Sequence, residues 1–166
     1  MTQPKLNLIQ SRIVDQPSLG RHVRRWRLLG KKIVFTNGCF DLLHRGHIAL
    51  LAQASDLGDV LIVGVNSDAS VKKLKGPGRP LITAHDRALL LASLCFVDAV
   101  IIFDEETPYA LIQMIQPDVL VKGEDYAMHE IVGADIVQAR GGEVKTIPLE
   151  AGYSTTALLQ LIRSGQ

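Results

Sequence analysis

The chain has 166 residues, a hydrophobic fraction of 47% and a formal net charge of +1, which suit one compact domain and argue against a protein that coats nucleic acid. No apolar run approaches the roughly 20 residues that cross a bilayer, and residues 1–10 lack the apolar core of a signal peptide. The two cysteines, Cys39 and Cys95, form no CxxC pair, so we expect a reducing, cytoplasmic setting without disulfides.

The N-terminal region divides into an arm and a basic helix. Residues 1–17 lack clear periodicity and are interpreted as an arm that precedes a single domain over 18–166. Ser18 is the predicted cap of a helix that runs to Leu29 and ends at Gly30. Four arginines lie on this helix and are interpreted as a solvated face: Arg21, Arg24, Arg25 and Arg27.

From residue 32 onward, predicted strands and helices alternate. Strands are predicted over 32–36, 60–65, 98–103, 118–121 and 143–147. Helices are predicted over 45–57, 84–95, from Thr107 to Pro117, near 129–139 and over 154–163. Strands that are apolar throughout and alternate with helices indicate an α/β fold with a parallel sheet covered on both faces. Ligands bind such sheets beyond the carboxyl ends of the strands, near the point where strand order reverses.

The segment that follows the first strand carries two histidines three residues apart, His44 and His47. At this spacing, near a helix start, both imidazoles can project from one face beside the free backbone N–H groups and the positive end of the dipole. Gly46 between them leaves room for a ligand close to the backbone, and Gly38 suits a tight turn that leaves the strand. The pattern predicts a cradle for a phosphate chain.

Two other interpretations of the histidine pair remain open. The histidines could be ordinary structural residues, or they could share a metal ion with Asp41 or Cys39 as a third ligand. The pair coincides with a glycine, a strand end and a helix start, which favours phosphate binding over both alternatives.

The run from Thr36 to His47 resembles the signature of the HxGH nucleotidyltransferase superfamily, and later motifs resemble its ADP-heptose-forming adenylyltransferase branch. These motifs are Asn66-Ser67-Asp68, Leu74-Lys75-Gly76, Gly78-Arg79-Pro80, Asp86-Arg87, Val121 to Tyr126, Gly141 to Val144 and Ser154-Thr155-Thr156. The resemblance runs from about Lys31 to Ile162. It implies a Rossmann-like, three-layer α/β/α fold with a five-stranded parallel sheet, and a homodimer or larger homo-oligomer without nucleic-acid or membrane partners.

The resemblance also implies a reaction, in which ATP and D-glycero-D-manno-heptose 1-phosphate give ADP-heptose and pyrophosphate. The nucleophile is an oxygen of the sugar phosphate, so the protein must mainly align two polyanions and offset charge. Mg²⁺ is expected largely on the phosphates of ATP rather than in a protein cage. Catalytic roles are expected for His44, His47, Lys75 and Arg87.

The remaining expected site residues fall into two groups. ATP contacts are expected from Thr36, Asn37, Gly38, Phe40, Asp41, His44, Gly46, His47, Lys122, Gly123, Asp125, Ser154, Thr155 and Thr156. Acceptor contacts are expected from Asn66, Asp68, Lys75, Arg79 and Arg87. Asp41 could instead have a structural role in the turn, and Ser154 could simply be the cap of a helix.

One departure bears on nucleotide choice. Cytidylyltransferases of the glycerol-phosphate type usually carry an arginine where this chain has Leu149, which favours the heptose branch. The same chemistry on another substrate, such as glycerol 3-phosphate with CTP or a heptose phosphate with GTP, stays the nearest rival. A non-catalytic nucleotide-binding protein is the rival from a different class.

Overall fold

A computed structural model describes residues 4–124, 130–148, 150 and 152–165 of the chain. The strands are β1 (Ile33–Gly38), β2 (Val60–Asn66), β3 (Ala99–Phe103), β4 (Val119–Gly123) and β5 (Glu143–Ile147). The helices are α1 (Lys5–Gln10), α2 (Gln16–Leu28), α3 (Arg45–Ser55), α4 (Asp68–Lys75), α5 (Ala84–Ala92), α6 (Tyr109–Ile115), α7 (Ala134–Ala139) and α8 (Thr155–Ser164). No helix in these ranges is long and apolar enough to cross a membrane.

The five strands form one sheet in the order β3-β2-β1-β4-β5, and every pairing is parallel. Successive side chains of a strand point to opposite faces, so β1 sends Ile33 and Phe35 into one hydrophobic core and Val34 into the other. Helices α2, α6 and α7 cover the first core, and α3 and α5 cover the second. The predicted three-layer α/β/α fold with five parallel strands is confirmed.

Strand order places the ligand-binding edge. The chain runs from β1 outward to β2 and β3, then crosses to β4 on the other side of β1. The order therefore reverses between β1 and β4, and sheets of this kind bind ligands beyond the carboxyl ends of the strands at that point. Asn37 and Gly38 end β1 at this edge, and Lys122 and Gly123 end β4 beside them.

The opposite, amino-terminal edge of the sheet is closed by three aspartates. Asp118, directly before β4, accepts a hydrogen bond from the backbone N–H of Ile33 at 2.7 Å and donates its own N–H to the carbonyl of Ile33 at 2.9 Å. Two further pairs repeat this reciprocal pattern: Asp59 with Lys32, and Asp98 with Leu61. Each carboxylate satisfies a backbone donor of the neighbouring strand and so fixes the register at which the strands begin.

The N-terminal boundaries differ from those predicted. Helix α2 begins at Gln16 rather than at Ser18, because Asp15 is the cap and its carboxylate accepts the N–H of Ser18 at 2.8 Å. The arm contains α1, and Ile13 pairs with Val100 at the edge of the sheet. The arm is therefore packed against the domain rather than separate from it.

Helix α4 was not predicted. Ser67 caps it by accepting the N–H of Ser70 at 3.2 Å, and Val71 is its fully buried anchor. The helix has only 8 residues, three of them lysines, so its sequence shows no clear apolar periodicity.

Candidate active site

The two histidines lie at the start of α3, as predicted. His44 is the residue that precedes the first turn and has extended backbone angles (φ −138°, ψ 170°), and its side chain makes no capping hydrogen bond. Its imidazole stacks on that of His47, with ring centroids 3.7 Å apart and an interplanar angle of 21°. The pair therefore presents two rings beside the free N–H groups of a helix start.

Both imidazoles are set up as neutral groups. Burial lowers the pKa of His44, and burial together with the charge of His44 lowers the pKa of His47 to about 4. The backbone of Leu42 offsets only part of the effect at His47. Each Nδ1 is buried and makes no hydrogen bond of normal geometry to the described residues. Because the two Nδ1 atoms are enclosed, a phosphate oxygen would approach the pair through the other ring nitrogens, the Nε2 atoms.

Small and aromatic residues shape the space around the pair. A Cβ at Gly46 would lie 3.1 Å from the imidazole of His44, so glycine lets the ring lie flat against the helix start. Phe40 contacts the edge of His47 with ring centroids 5.2 Å apart. The left-handed backbone angle of this loop belongs to Phe40 (φ 48°), whereas Gly38 is the last residue of β1. Gly38 instead makes room for the ring of Phe40, which would lie 3.1 Å from an added Cβ.

The segment before α8 lies against the start of α3. Arg45 pairs with Glu150 at 2.7 Å and lies over the ring of Tyr153, 5.4 Å from its centroid. A Cβ at Gly46 would lie 3.3 Å from that of Tyr153. These contacts bring the starts of two helices together. The sequence pattern did not indicate them, although Arg45 stands inside the histidine motif.

The three hydroxyl residues of the second motif lie at the start of α8. Ser154 caps the helix by accepting the N–H of Ala157 at 3.1 Å, while Thr155 is half-buried and Thr156 exposed. Two helix starts beside one histidine pair are suited to a polyphosphate chain, because each supplies N–H donors and the positive end of a dipole.

The described residues at the end of β4 lie at the same edge of the sheet. Lys122 is 9% exposed and its Nζ donates to the side-chain oxygen of Asn37 at 2.5 Å, which ties the ends of β4 and β1 together. Thr36 and Gly123 are buried in these strands. Asp125 and Leu149 lie outside the described residues.

Three cations gather on the other side of the histidine motif. Burial raises the pKa of the Cys39 thiol, and the charges of Lys75, Arg87 and Arg79 partly offset that effect, which places all three near this residue. Lys75 is the exposed last residue of α4. The structure thus brings together the three predicted anion clamps, which come from two helices and the loop between them.

The two arginines of this group differ in what they contact. Arg87 is fully buried and donates to the carbonyls of Ile82 and Cys39 and to the carboxylate of Asp68. Arg79 is paired through its Nε with Asp41. The guanidinium of Arg87 is therefore engaged at all three nitrogens within the protein.

Asn66 is also used internally. It is buried, and its amide donates to the hydroxyl of Ser70 at 3.0 Å, which in turn donates to the carbonyl of Glu105 at 3.3 Å. These bonds fix the turn between β2 and α4. Asp68, half-exposed at the start of α4, is positioned by the same turn.

A metal cage does not form from the residues that the structure describes, since none of their His, Cys, Asp and Glu side chains cluster in groups of three or more. Asp41, the acid nearest the histidines in sequence, accepts from Arg79 and from two backbone N–H groups. Two pockets of about 670 and 520 Å³ lie elsewhere, beside α7 and at the amino-terminal edge, and contain no predicted site residue. The candidate site is therefore assigned from the stacked histidine pair and not from these concavities.

Comparison with known proteins identifies the family. Residues 35–160 match the cytidylyltransferase-like family model. Among curated proteins, the chain is similar to the bifunctional protein HldE of Nitratiruptor (59% identity; 81% of this chain, 28% of the relative). It is also similar to that of Mesorhizobium japonicum (52%; 92% and 31%) and that of Koribacter versatilis (51%; 96% and 33%). The chain spans about a third of the length of these relatives.

Solved structures share the fold. A structure described as the lipopolysaccharide core biosynthesis protein from Thermoplasma volcanium has a TM-score of 0.61 and 28% identity, over 73% of this chain and 98% of that one. A pantoate-beta-alanine ligase from Francisella tularensis, complexed with beta-gamma ATP and beta-alanine, has a TM-score of 0.60 at 18% identity, over 89% of this chain and 72% of that one. The second likeness supports the fold alone.

Proposed function

The chain belongs to the cytidylyltransferase-like family, and we propose that it transfers AMP from ATP to D-glycero-D-manno-heptose 1-phosphate, giving ADP-heptose and pyrophosphate. The observation that carries the proposal is the stacked pair of His44 and His47 at the start of α3. The choice of acceptor is supported by the later motifs and by the likeness to the bifunctional protein HldE.

The proposed transfer needs no protein nucleophile. An oxygen of the sugar phosphate forms a bond to the α-phosphorus of ATP, and the bond from that phosphorus to the bridging oxygen breaks, so that pyrophosphate leaves with the electron pair. Neutral His44 and His47 each offer one N–H to the phosphate oxygens and stabilise the charge that develops there. The starts of α3 and α8 add backbone N–H groups. Bound Mg²⁺ would neutralise phosphate charge.

The residues that the structure describes fit a metal ion carried by the substrate. They offer no cluster of carboxylates for Mg²⁺, and Mg²⁺ in nucleotide sites commonly keeps waters and phosphate oxygens as ligands. The ion would be held by the phosphates of ATP, while His44 and His47 contact the remaining oxygens. The homo-oligomer implied by the family stays a prediction, which sedimentation measurements test.

A substrate panel tests the proposal. ATP, CTP and GTP are each combined with heptose 1-phosphate, heptose 7-phosphate and glycerol 3-phosphate, and pyrophosphate release is measured. ATP with the heptose 1-phosphate should give the highest kcat/KM. Preferential turnover of CTP with glycerol 3-phosphate would contradict the proposal and indicate a glycerol 3-phosphate cytidylyltransferase. If calorimetry shows ATP binding but no mixture releases pyrophosphate, the chain is a nucleotide-binding protein without transferase activity.

A further inference from the structure

Asp41 lies in the loop between β1 and α3, three residues before His44, and is only 1% exposed. A buried carboxylate must be paired, and its partners show what it is for. One oxygen accepts the backbone N–H groups of Leu81 at 2.7 Å and Ile82 at 3.1 Å, and the other pairs with the Nε of Arg79. All of these partners belong to the segment that joins α4 to α5.

Arg79 and Arg87 are held in different ways. The side chain of Arg87 is 0% exposed, and its three nitrogens donate to two carbonyls and to Asp68. The side chain of Arg79 is 19% exposed, and its two Nη atoms make no hydrogen bond to the described residues. Of the two arginines, Arg79 therefore has donors left for a ligand.

A guanidinium is planar, so holding one nitrogen fixes the direction of the other two. With its Nε on Asp41, Arg79 presents its two Nη atoms as a fork, which matches the spacing of two phosphate oxygens. The adjoining Gly76 and Gly78 have positive φ angles, and an added Cβ at either would meet nothing within 4 Å. The fork is therefore carried on an open, glycine-rich segment whose far end is anchored to Asp41.

We propose that Asp41 is a positioning residue, which orients Arg79 so that this arginine binds the phosphate of the acceptor substrate, while Arg87 fixes the same segment without contacting ligand. The inference rests on the proposed function in one respect, that the acceptor carries a phosphate. It moves Asp41 from the nucleotide side to the acceptor side, keeps the expected acceptor contact of Arg79, and replaces the expected ligand contact of Arg87 by a structural role.

A double-mutant cycle tests this assignment by measuring KM for ATP and for heptose 1-phosphate separately. Asp41→Asn places an amide N–H₂ or a neutral oxygen against Arg79, so KM for the sugar phosphate should rise about tenfold, the usual scale for a lost charge-assisted bond. KM for ATP should change less than about threefold. Because Asp41 acts through Arg79, Asp41→Asn should add nothing in an Arg79→Ala background. A merely structural role would give additive effects.

Asp59→Asn is the matched control. Asp59 also accepts a backbone N–H, that of Lys32 at 2.8 Å, but it lies at the opposite edge of the sheet. Its replacement should lower thermal stability and leave both KM values unchanged. If Asp41→Asn fails to fold, Arg79→Lys keeps Asp41 in place but removes the fork, and it should likewise raise KM for the sugar phosphate about tenfold.

The outcomes separate this inference from the proposed function. If the wild-type chain transfers AMP to a different phosphorylated acceptor, the proposed function is wrong. The double-mutant cycle of Asp41 and Arg79 can then be measured with that acceptor, because the inference concerns recognition of the phosphate and not of the sugar. An Asp41→Asn effect confined to KM for ATP overturns the inference, as does an unchanged KM for the acceptor in Arg79→Lys. Absence of turnover with every acceptor phosphate overturns both.

Discussion

The two edges of the sheet use their polar groups in opposite ways. At the amino-terminal edge, three aspartates pair reciprocally with the neighbouring strand, and the carboxylate of each accepts a backbone N–H. At the carboxyl-terminal edge, the buried Nδ1 atoms of His44 and His47 have no hydrogen bond of normal geometry to the described residues. The aspartates of the first edge are satisfied within the protein, whereas the two imidazoles of the second edge are, in the proposed function, contacts for the phosphates of ATP.

This difference separates stability from function along the same strands. Paired groups at the amino-terminal edge lower the free energy of the folded chain. In the proposed function, the histidines at the carboxyl-terminal edge contact a bound polyanion and contribute little to the stability of the free chain. Substitutions at the two edges should therefore change different measured quantities.

The largest expected effect is on turnover. His47→Ala removes one donor to the phosphates, so kcat should fall by about 100-fold or more, as for other lost transition-state donors. The protein should still unfold cooperatively, at a somewhat lower temperature, because the lost imidazole packs on His44 and Phe40. Steady-state kinetics and calorimetry measure the two quantities. His85→Ala, exposed on α5, is the control, and equal losses in both variants would contradict a specific role for His47.

The next effect is on stability, at the other edge. Asp118→Ala leaves the N–H of the fully buried Ile33 without its acceptor, so the free energy of unfolding should fall by about 1–3 kcal/mol, while kcat and KM stay unchanged. Urea titration measures the loss. Asp118→Asn keeps an oxygen acceptor and should lose less. A fall in kcat without a change in the free energy of unfolding would contradict the proposal that the amino-terminal edge serves stability and the carboxyl-terminal edge serves function.

The smallest effect concerns pH. The pKa of His47 is lowered from its ordinary 6.5 to about 4, so between these values the unfolded chain binds more protons than the folded one. Stability should therefore be fully present above pH 6.5 and should fall as the pH drops from 6.5 through 4. The pKa of Asp59 is also lowered, mainly by the N–H of Lys32, so its contribution is lost only below about pH 3.8.

Unfolding temperatures of the wild type and His47→Gln, measured at several pH values from 7 to 4, check this window. The variant should show a shallower decline, and the difference between the two proteins should disappear when the comparison is made above pH 7. An identical decline in both would mean that His47 does not carry the effect.

The sequence was sufficient for the elements whose signals are local. Strands β1 to β4 are nearly continuous apolar runs, and most helices are bounded by recognisable caps or glycines, so the layered fold was predicted and is confirmed. Helix α4 and the start of α2 were not predicted. Ser67 caps α4, which is mostly polar, and Asp15 caps α2 from within a segment that has no clear periodicity.

The sequence alone predicted a site directly after β1, because a glycine and two histidines stand together there. How the distant charges are used depends on tertiary packing. Asp41, Arg79 and Arg87 are separated by as many as 46 residues (87 − 41). Their pairing depends on the crossover that packs the segment between α4 and α5 against the histidine loop, which leaves one arginine enclosed and the other with free donors.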